Sequence, residues 1–584
     1  MFLPTTREEL NRLGWDTLDV ILVTGDTYID SPFIGAAVIG NVLADAGYRV
    51  GIIAQPDVHS GADICRLGSP RLFWGVTGGS IDSMVANFTA SKKRRRSDDL
   101  TPGGRNDRRP DRAVIVYTNL IKQHCPGPAP IVLGGIEASL RRIAHYDFWS
   151  NKIRRSVLFD AKADYLIYGM AEQTVVELAD RLARGAAVGD LRGLCRISAT
   201  KPDGCLELPS YQDVVADKRA FIDMFQTFYT NNDPITAQGL CQRHDTRYLV
   251  HNPPPPYLDQ DALDRVHELD YERVVHPYYA LQGEVRALET IQFAITGHRG
   301  CYGECNFCSI AVHQGRTVRW RSEGSILREA ETLAAHPDFK GHILEVGGPT
   351  ANMYGFECRK KLTQGSCKDR RCIYPQICPN MKVDHSRQIN LLRKLRQIPG
   401  VKKVFVGSGI RHDLVLADRK NGKRYLREIV RHHVSGQMKV APEHTEPQVL
   451  RLMGKPGKDG LLKFKDLFDR TTEEAGKRQF LTYYLIAGHP GCTEADMRRL
   501  RSFSSRELHI TPEQVQIFTP TPSTYSSLMY YTGIDPFTGK NLFVERDPGR
   551  LERQKWIVTE NRQSRTAVDT RQSRPVSRKR RGKR

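Results

Sequence analysis

The sequence predicts an α/β protein in two parts, an N-terminal doubly wound parallel sheet followed by a partial (β/α)6 barrel. Three observations carry this expectation. Short apolar runs separated by helical stretches fill the first half, six further strand-like runs alternate with five helical patterns in the second, and four consecutive prolines at 253–256 lie between.

In the first half, Asp19 to Val23 and Arg49 to Ile53 read as buried strands, with Phe33 to Ala46 as the helix joining them. Ala113 to Tyr117, Pro130 to Leu133 and Asp164 to Tyr168 read as further strands. The joining turns Thr24-Gly25-Asp26, Gly78-Gly79-Ser80 and Gly134-Gly135-Ile136-Glu137 are of the kind that shape βα loops. This gives a domain over residues 1–250, with a polar, Gly- and Pro-containing insertion at about 92–112 expected to be a mobile surface excursion. Residues 251–282 read as a Pro-rich linker, since prolines favour extended backbone and cannot sit in a packed sheet.

The barrel is expected over 283–540. Its strand candidates are Thr290 to Ile295, His342 to Val346, Lys402 to Val406, Gln437 to Val440, Phe480 to Ile486 and Gln514 to Phe518. Its helix candidates are Glu323 to His336, Ser386 to Arg396, Arg424 to His433, Leu461 to Ala475 and Glu494 to Leu508. Ligands bind at the C-terminal ends of strands in such barrels, so the polar and glycine-rich pieces belong just after each strand. They fall there: the cysteine loop after the first, Gly347-Gly348-Pro349-Thr350 after the second, Gly407-Ser408-Gly409-Ile410-Arg411 after the third. Ala441-Pro442-Glu443-His444, Gly488-His489-Pro490-Gly491 and Thr519 to Ser523 follow the last three.

The cysteine loop, Gly300-Cys301-Tyr302-Gly303-Glu304-Cys305-Asn306-Phe307-Cys308, has C-x3-C-x2-C spacing. Three close thiols can hold three irons of a cubane and leave the fourth open, whereas structural zinc and ordinary ferredoxin centres take four protein ligands. A redox pair with a bystander, or half of a zinc knuckle, are the alternative readings. A second group, Cys358, Cys367, Cys372 and Cys378, falls in an insertion at 354–380 and suits structural zinc, an auxiliary iron–sulfur cluster, or free thiols. Cys65, Cys125, Cys195, Cys205, Cys241 and Cys492 read as buried small hydrophobes rather than a disulfide framework.

The formal net charge of +21 is concentrated in two segments. Residues 562–584 carry ten Lys or Arg against Asp569, and Lys92 to Arg112 carry nine against four acids. The rest is only mildly basic, and residues 541–584 read as a basic, disordered tail that could contact RNA. The N-terminus has no basic flank leading into an apolar run, and no apolar stretch is long enough to cross a bilayer, so a cytoplasmic protein without membrane contact is expected.

The C-x3-C-x2-C loop with Phe307 before the third cysteine resembles the radical S-adenosylmethionine (SAM) superfamily. Asp26-x-Tyr28-x-Asp30-x-Pro32, Glu137 to Asp147, Gly347 to Met353 and Val440 to Thr445 together look like its YgiQ family. The resemblance implies a radical SAM barrel with a 4Fe-4S cluster on Cys301, Cys305 and Cys308, and SAM closing the open iron. It implies cofactor contacts at Gly347, Gly348, Ser408, Arg411, Glu443 and Gly488; no catalytic residue is named. The family's Glu after the glycine pair is Pro349 here. Reductive cleavage of SAM to a deoxyadenosyl radical and an external one-electron donor, flavodoxin or ferredoxin, follow from the same resemblance. The barrel also resembles methylthiotransferases, which makes RNA or protein modification the alternative substrate class. From another class stands a nucleic-acid-binding protein with a structural metal site. The first domain loosely resembles cobalamin-binding domains, but Pro32 stands where their ligating histidine would be, which argues against cobalamin.

Overall fold

The computed structural model describes residues 1–560. Nine strands form the first sheet: β1 (Val20–Thr24), β2 (Val50–Ala54), β3 (Phe73–Thr77), β4 (Ile131–Gly134), β5 (Tyr165–Ile167), β6 (Leu194–Ser198), β7 (Leu206–Leu208), β8 (Leu240–His244) and β9 (Arg247–His251). Their order is β2-β1-β3-β4-β5-β6-β9-β8-β7. The first five strands are mutually parallel, as expected; β6 and β9 then add antiparallel pairs, so the whole sheet is mixed. Helices Gly35–Asp45 and Glu172–Ala183 cover one face around Leu43, Val175 and Leu178. Helices Ala113–His124 and Val157–Ala161 cover the other around Val114, Tyr117 and Leu158.

Two sequence expectations are corrected here. Ala113 to Tyr117 is not a strand but the start of a helix. Its buried positions Ala113, Val114, Tyr117, Thr118, Leu120 and Ile121 follow the 3.6-residue period once the run is carried beyond Tyr117. The central strand was missed because Gly75 interrupts Phe73–Thr77. A Cβ there would lie 2.6 Å from Leu22 Cδ2, so the glycine lets β1 and β3 pack closely.

Within the insertion at 92–112, residues 92–97 are exposed, whereas Asp98, Leu100, Thr101, Asn106 and Arg109 are buried. Arg109 is fully buried, donating to Asp26 Oδ1 at 2.7 Å and to the Gly25 carbonyl at 2.9 Å, with Asp98 at 3.1 Å. Burial of a guanidinium needs such pairing. Residues 251–282 also lie against both halves: the Asp30 carboxylate accepts from the Glu272 amide at 2.9 Å, and Asp264 accepts from the Ser322 amide at 2.9 Å.

The barrel strands are short: β10 (Ala294–Thr296), β11 (His342–Ile343) and β12 (Glu345–Gly347) as two pieces of one strand, β13 (Lys403–Val404), β14 (Gln437–Glu443), β15 (Phe480–Ala487) and β16 (Val515–Ile517). All their pairings are parallel, in the order β10, β11/β12, β13, β14, β15, β16, with a single bridge from Ile410 to Val440 joining the third loop to β14. The first strand starts four residues later than expected, because Leu288–Ile291 forms a helical turn. The five expected helices are present; the apolar faces of the first four close on Ile326, Leu392, Ile429 and Phe464, and the fifth buries Met497 and Leu500 in a separate cluster.

The chain then returns to the first half. Ser523 Oγ donates to the Leu140 carbonyl at 2.8 Å, and the helix Tyr525–Thr532 inserts Tyr525, Leu528 and Met529 into the core beneath the first sheet. Pro548–Thr559, expected in the disordered tail, is instead a helix burying Leu551, Ile557 and Val558. The basic segment 562–584 lies outside the described residues.

Candidate active site

The loop after β10 is held by its ends. Gly300 has φ +79°, and a Cβ would meet the Thr317 carbonyl at 2.3 Å, so only glycine fits. Asn306 donates from its backbone to Met453 O at 2.9 Å and from its amide to Leu452 O at 2.7 Å, fixing the loop to the segment after β14. Phe307 packs against the apolar cluster that contains Val449, Met453 and Leu485. Cys301 and Cys305 are thereby brought side by side. A Cβ on Gly303 would lie 3.2 Å from Cys301 Sγ and 3.6 Å from Cys305 Sγ, so the missing side chain leaves room beside both sulfurs. Cys301 Sγ accepts from the Gly303 amide at 3.3 Å and lies 3.5 Å from Thr350 Oγ1.

Burial, followed by the neighbouring Cys305, raises the Cys301 thiol and pushes Cys308 up to about 12. Thiols held above their ordinary range at Cys301 and Cys308 are a donor set that positive metal relieves. Among the described residues no three His, Cys, Asp or Glu side chains converge on a point for one ion. A cubane does not ask for that, since each cysteine ligates a different iron. The residues fit a 4Fe-4S cluster.

Among the described residues the second cysteine group does not converge on a point for one ion either. Cys358, Cys372 and Cys378 lie against an apolar cluster with Tyr302, Ile373 and Met381, and Lys361 Nζ donates to Cys372 Sγ at 3.5 Å. Cys301 packs against the same cluster, and Cys367 is not part of it. Two pairs expected as separate thiols are disulfides: Cys65–Cys125 and Cys205–Cys241. Cys195 and Cys492 are free and buried.

A cavity of about 470 Å³ opens between the C-terminal edge of the first sheet and the barrel mouth. Gly347, Gly348 and Ser408 line it together with Pro32, so these three of the six expected cofactor contacts share one chamber. Gly348 packs on His298; a Cβ there would come within 2.6 Å of the His298 carbonyl and of Nε2. Glu345, which sequence reasoning missed, ties this corner together: its Oε2 accepts from the amides of Gly407 at 2.8 Å and Ser408 at 2.6 Å. Its place two residues before the glycine pair on a barrel strand was the available signal.

Arg411 and Glu443 are placed on the thiol side. Arg411 donates to Asp413 at 2.9 and 2.5 Å and reaches Cys305 Sγ at 3.8 Å. Asp413 is held well below the usual carboxylate range by that guanidinium against the cost of burial. Glu443 is buried with φ +68°, has Lys455 Nζ at 3.8 Å, and is raised by burial. Gly488 is set apart: its amide donates to Gln554 Oε1 at 2.9 Å and Leu551 covers it, so the C-terminal helix rather than the chamber is its neighbour. His444 is likewise engaged elsewhere, accepting from the Glu446 amide at 3.1 Å and meeting Cys492 Sγ at 3.5 Å.

Comparison with known proteins gives the family. The model described as "Radical SAM N-terminal" matches residues 2–294. A UPF0313 protein of Fusobacterium nucleatum is 56% identical over 565 residues, covering 97% of this chain and 100% of that protein. A UPF0313 protein of Methanocella arvoryzae is 48% identical, covering 93% and 90%. Among solved structures, the radical SAM methyltransferase TsrM of Kitasatospora setae, with cobalamin and a [4Fe-4S] cluster bound, matches with TM-score 0.48 and 15% identity over 88% of this chain and 78% of that one. The cobalamin-dependent SAM radical enzyme OxsB matches with TM-score 0.48 and 13% identity, covering 89% and 56%. No helix among the described residues is long and apolar enough to cross a membrane. With the family model spanning the first half and relatives matched over nearly the whole length, the chain belongs to the UPF0313 family, the YgiQ family of radical SAM proteins.

Proposed function

We propose that the protein is a radical SAM enzyme acting on a substrate held in the chamber between its two halves. The observation that carries this reading is the approach of Cys301 and Cys305 to the open position at Gly303, with Cys308 near enough to feel both and the Gly347–Gly348 pair at the chamber wall. When bound, a reduced 4Fe-4S cluster supplies one electron to SAM, releasing methionine and a deoxyadenosyl radical that takes hydrogen from substrate.

The chain's own residues prepare the place. Cys301, Cys305 and Cys308 would hold the cluster, and Arg411 would offset negative charge on Cys305 from 3.8 Å. The backbone carbonyls at Gly347 and Gly348 would receive the SAM amino group, with Ser408 beside them on the wall. The apolar residues of the first sheet's edge exclude water from the reaction. An external one-electron donor such as flavodoxin or ferredoxin completes the cycle.

Anaerobically reconstituted protein given dithionite and SAM should form deoxyadenosine, and Cys305→Ala should abolish it. Deoxyadenosine persisting in that variant would remove the assignment.

A further inference from the structure

The chamber's two walls differ in chemistry. The first sheet contributes Leu22, Phe33, Phe73, Val132 and Ile167, an apolar face. The barrel side, the helix Gln260–Glu268 and the first residue of the helix Glu172–Ala183 contribute polar groups whose hydrogen-bonding capacity is unspent. His298 is 1% exposed with the Thr350 backbone as partner to one ring nitrogen and none to the other, and Glu172 and His267, each 3% exposed, have Oε2 and Nδ1 free of partners. Glu345 Oε1 is out of solvent and also unpaired. All four residues line the chamber. Buried polar atoms are normally satisfied, so four at one cavity point to a ligand that satisfies them.

Their roles can be assigned. The guanidinium of Arg299 only donates and faces His267 Nε2 at 3.3 Å, so that nitrogen accepts and Nδ1 carries the hydrogen. Burial lowers His298 to about 4, leaving a neutral ring whose N–H goes to the Thr350 backbone and whose other nitrogen accepts. Glu172 Oε2 and Glu345 Oε1 accept. Among the described residues the one Lys or Arg on the wall is Arg299, and it is ion-paired with Glu172 across the two halves. Asp26, the third carboxylate there, is paired with Arg109. Acceptors therefore outnumber donors, Glu345 has no basic partner within ion-pair range, and no free cation waits for an anion.

We propose that this chamber receives a substrate with an apolar body and a non-anionic end rich in hydrogen-bond donors, an amine above all, seated against Glu345, His298, His267 and Glu172. Carboxylate and phosphate ends are excluded by the same groups. This rests on the chamber being the substrate site of the proposed enzyme and adds the class of molecule it takes.

A matched pair of probes tests it: phenethylamine and 3-phenylpropionate share an apolar body and differ at the polar end. Binding to the reconstituted, SAM-loaded protein is measured by calorimetry or ligand-observed NMR. Phenethylamine should bind at least about tenfold more tightly. Glu345→Gln keeps an oxygen for the Gly407 and Ser408 amides and should reduce that preference by about tenfold. Equal or tighter binding of phenylpropionate, binding of neither, or an unchanged preference in a folded Glu345→Gln protein overturns the proposal; should the variant not fold, the wild-type preference decides. Deoxyadenosine is assayed in the same samples. An amine preference without deoxyadenosine sinks the enzyme reading and leaves the recognition standing; deoxyadenosine without the preference does the reverse.

Discussion

Arg411 stands between a carboxylate and a thiol: its guanidinium grips Asp413 at 2.5 Å on one side and comes within 3.8 Å of Cys305 Sγ on the other. Removing it would leave Asp413 buried without its cation. Arg411→Gln should therefore lower stability by about 3–5 kcal/mol. Urea unfolding of the two proteins checks this, and a loss under about 1 kcal/mol, the size of an exposed pair, would show that the guanidinium is not holding the loop.

Gly347 and Gly348 should respond unequally to alanine. At Gly348 the new Cβ meets the His298 backbone carbonyl at 2.6 Å, which cannot swing aside. At Gly347 it meets Glu345 Oε1 at 2.5 Å, the end of a movable side chain. Gly348→Ala should cost about 1–3 kcal/mol and Gly347→Ala clearly less. The reverse order in unfolding midpoints would contradict the packing described.

His489 is enclosed, with Nε2 2.7 Å from Ser526 Oγ and Nδ1 2.9 Å from the Pro490 carbonyl, and burial lowers it from 6.5 to about 3. The folded protein thus keeps it neutral where the unfolded chain takes a proton. Its neutral state costs nothing above pH 6.5, and stability is lost as pH falls from 6.5 towards 3. His489→Gln should flatten the fall of unfolding free energy with acid by up to about 1.4 kcal/mol per pH unit. Parallel curves for the two proteins would refute the assignment.

Thiol counting addresses the disulfides. Of thirteen cysteines, nine are free. Metal-free protein unfolded without reductant should release nine reactive thiols, and thirteen would mean that neither bridge forms. The Cys65–Cys125 bridge spans 60 residues, a loop for which closure is worth about 4 kcal/mol, so Cys65→Ser should be destabilised by about that much.

How far the sequence speaks depends on whether a feature is local. The barrel helices were legible because each carries its own apolar stripe, as at Ser386–Leu395, where Ile389, Leu392 and Leu395 recur at helical spacing. Phe73–Thr77 was not, because its one glycine has meaning only against Leu22 of the neighbouring strand. The charged run around Arg109 looked solvated for the same reason: Asp26, which permits its burial, lies 83 residues away. In the site, the cysteine loop was legible from spacing alone. The demands of Glu345 and His298 became visible only when the two halves closed a cavity over them. Gly488 followed the rule that polar turns end barrel strands, and a helix from the end of the chain covers it.

The contact between Ser523 and Leu140 joins positions 383 residues apart, and the helix just after Ser523 fills the core under the first sheet. During synthesis on the ribosome, that apolar wall is made early and its cover arrives close to the end. At cellular elongation rates the interval is on the order of tens of seconds. Throughout it the nascent first half displays greasy surface to every passing neighbour, which makes it a natural client for a chaperone that holds unfinished chains.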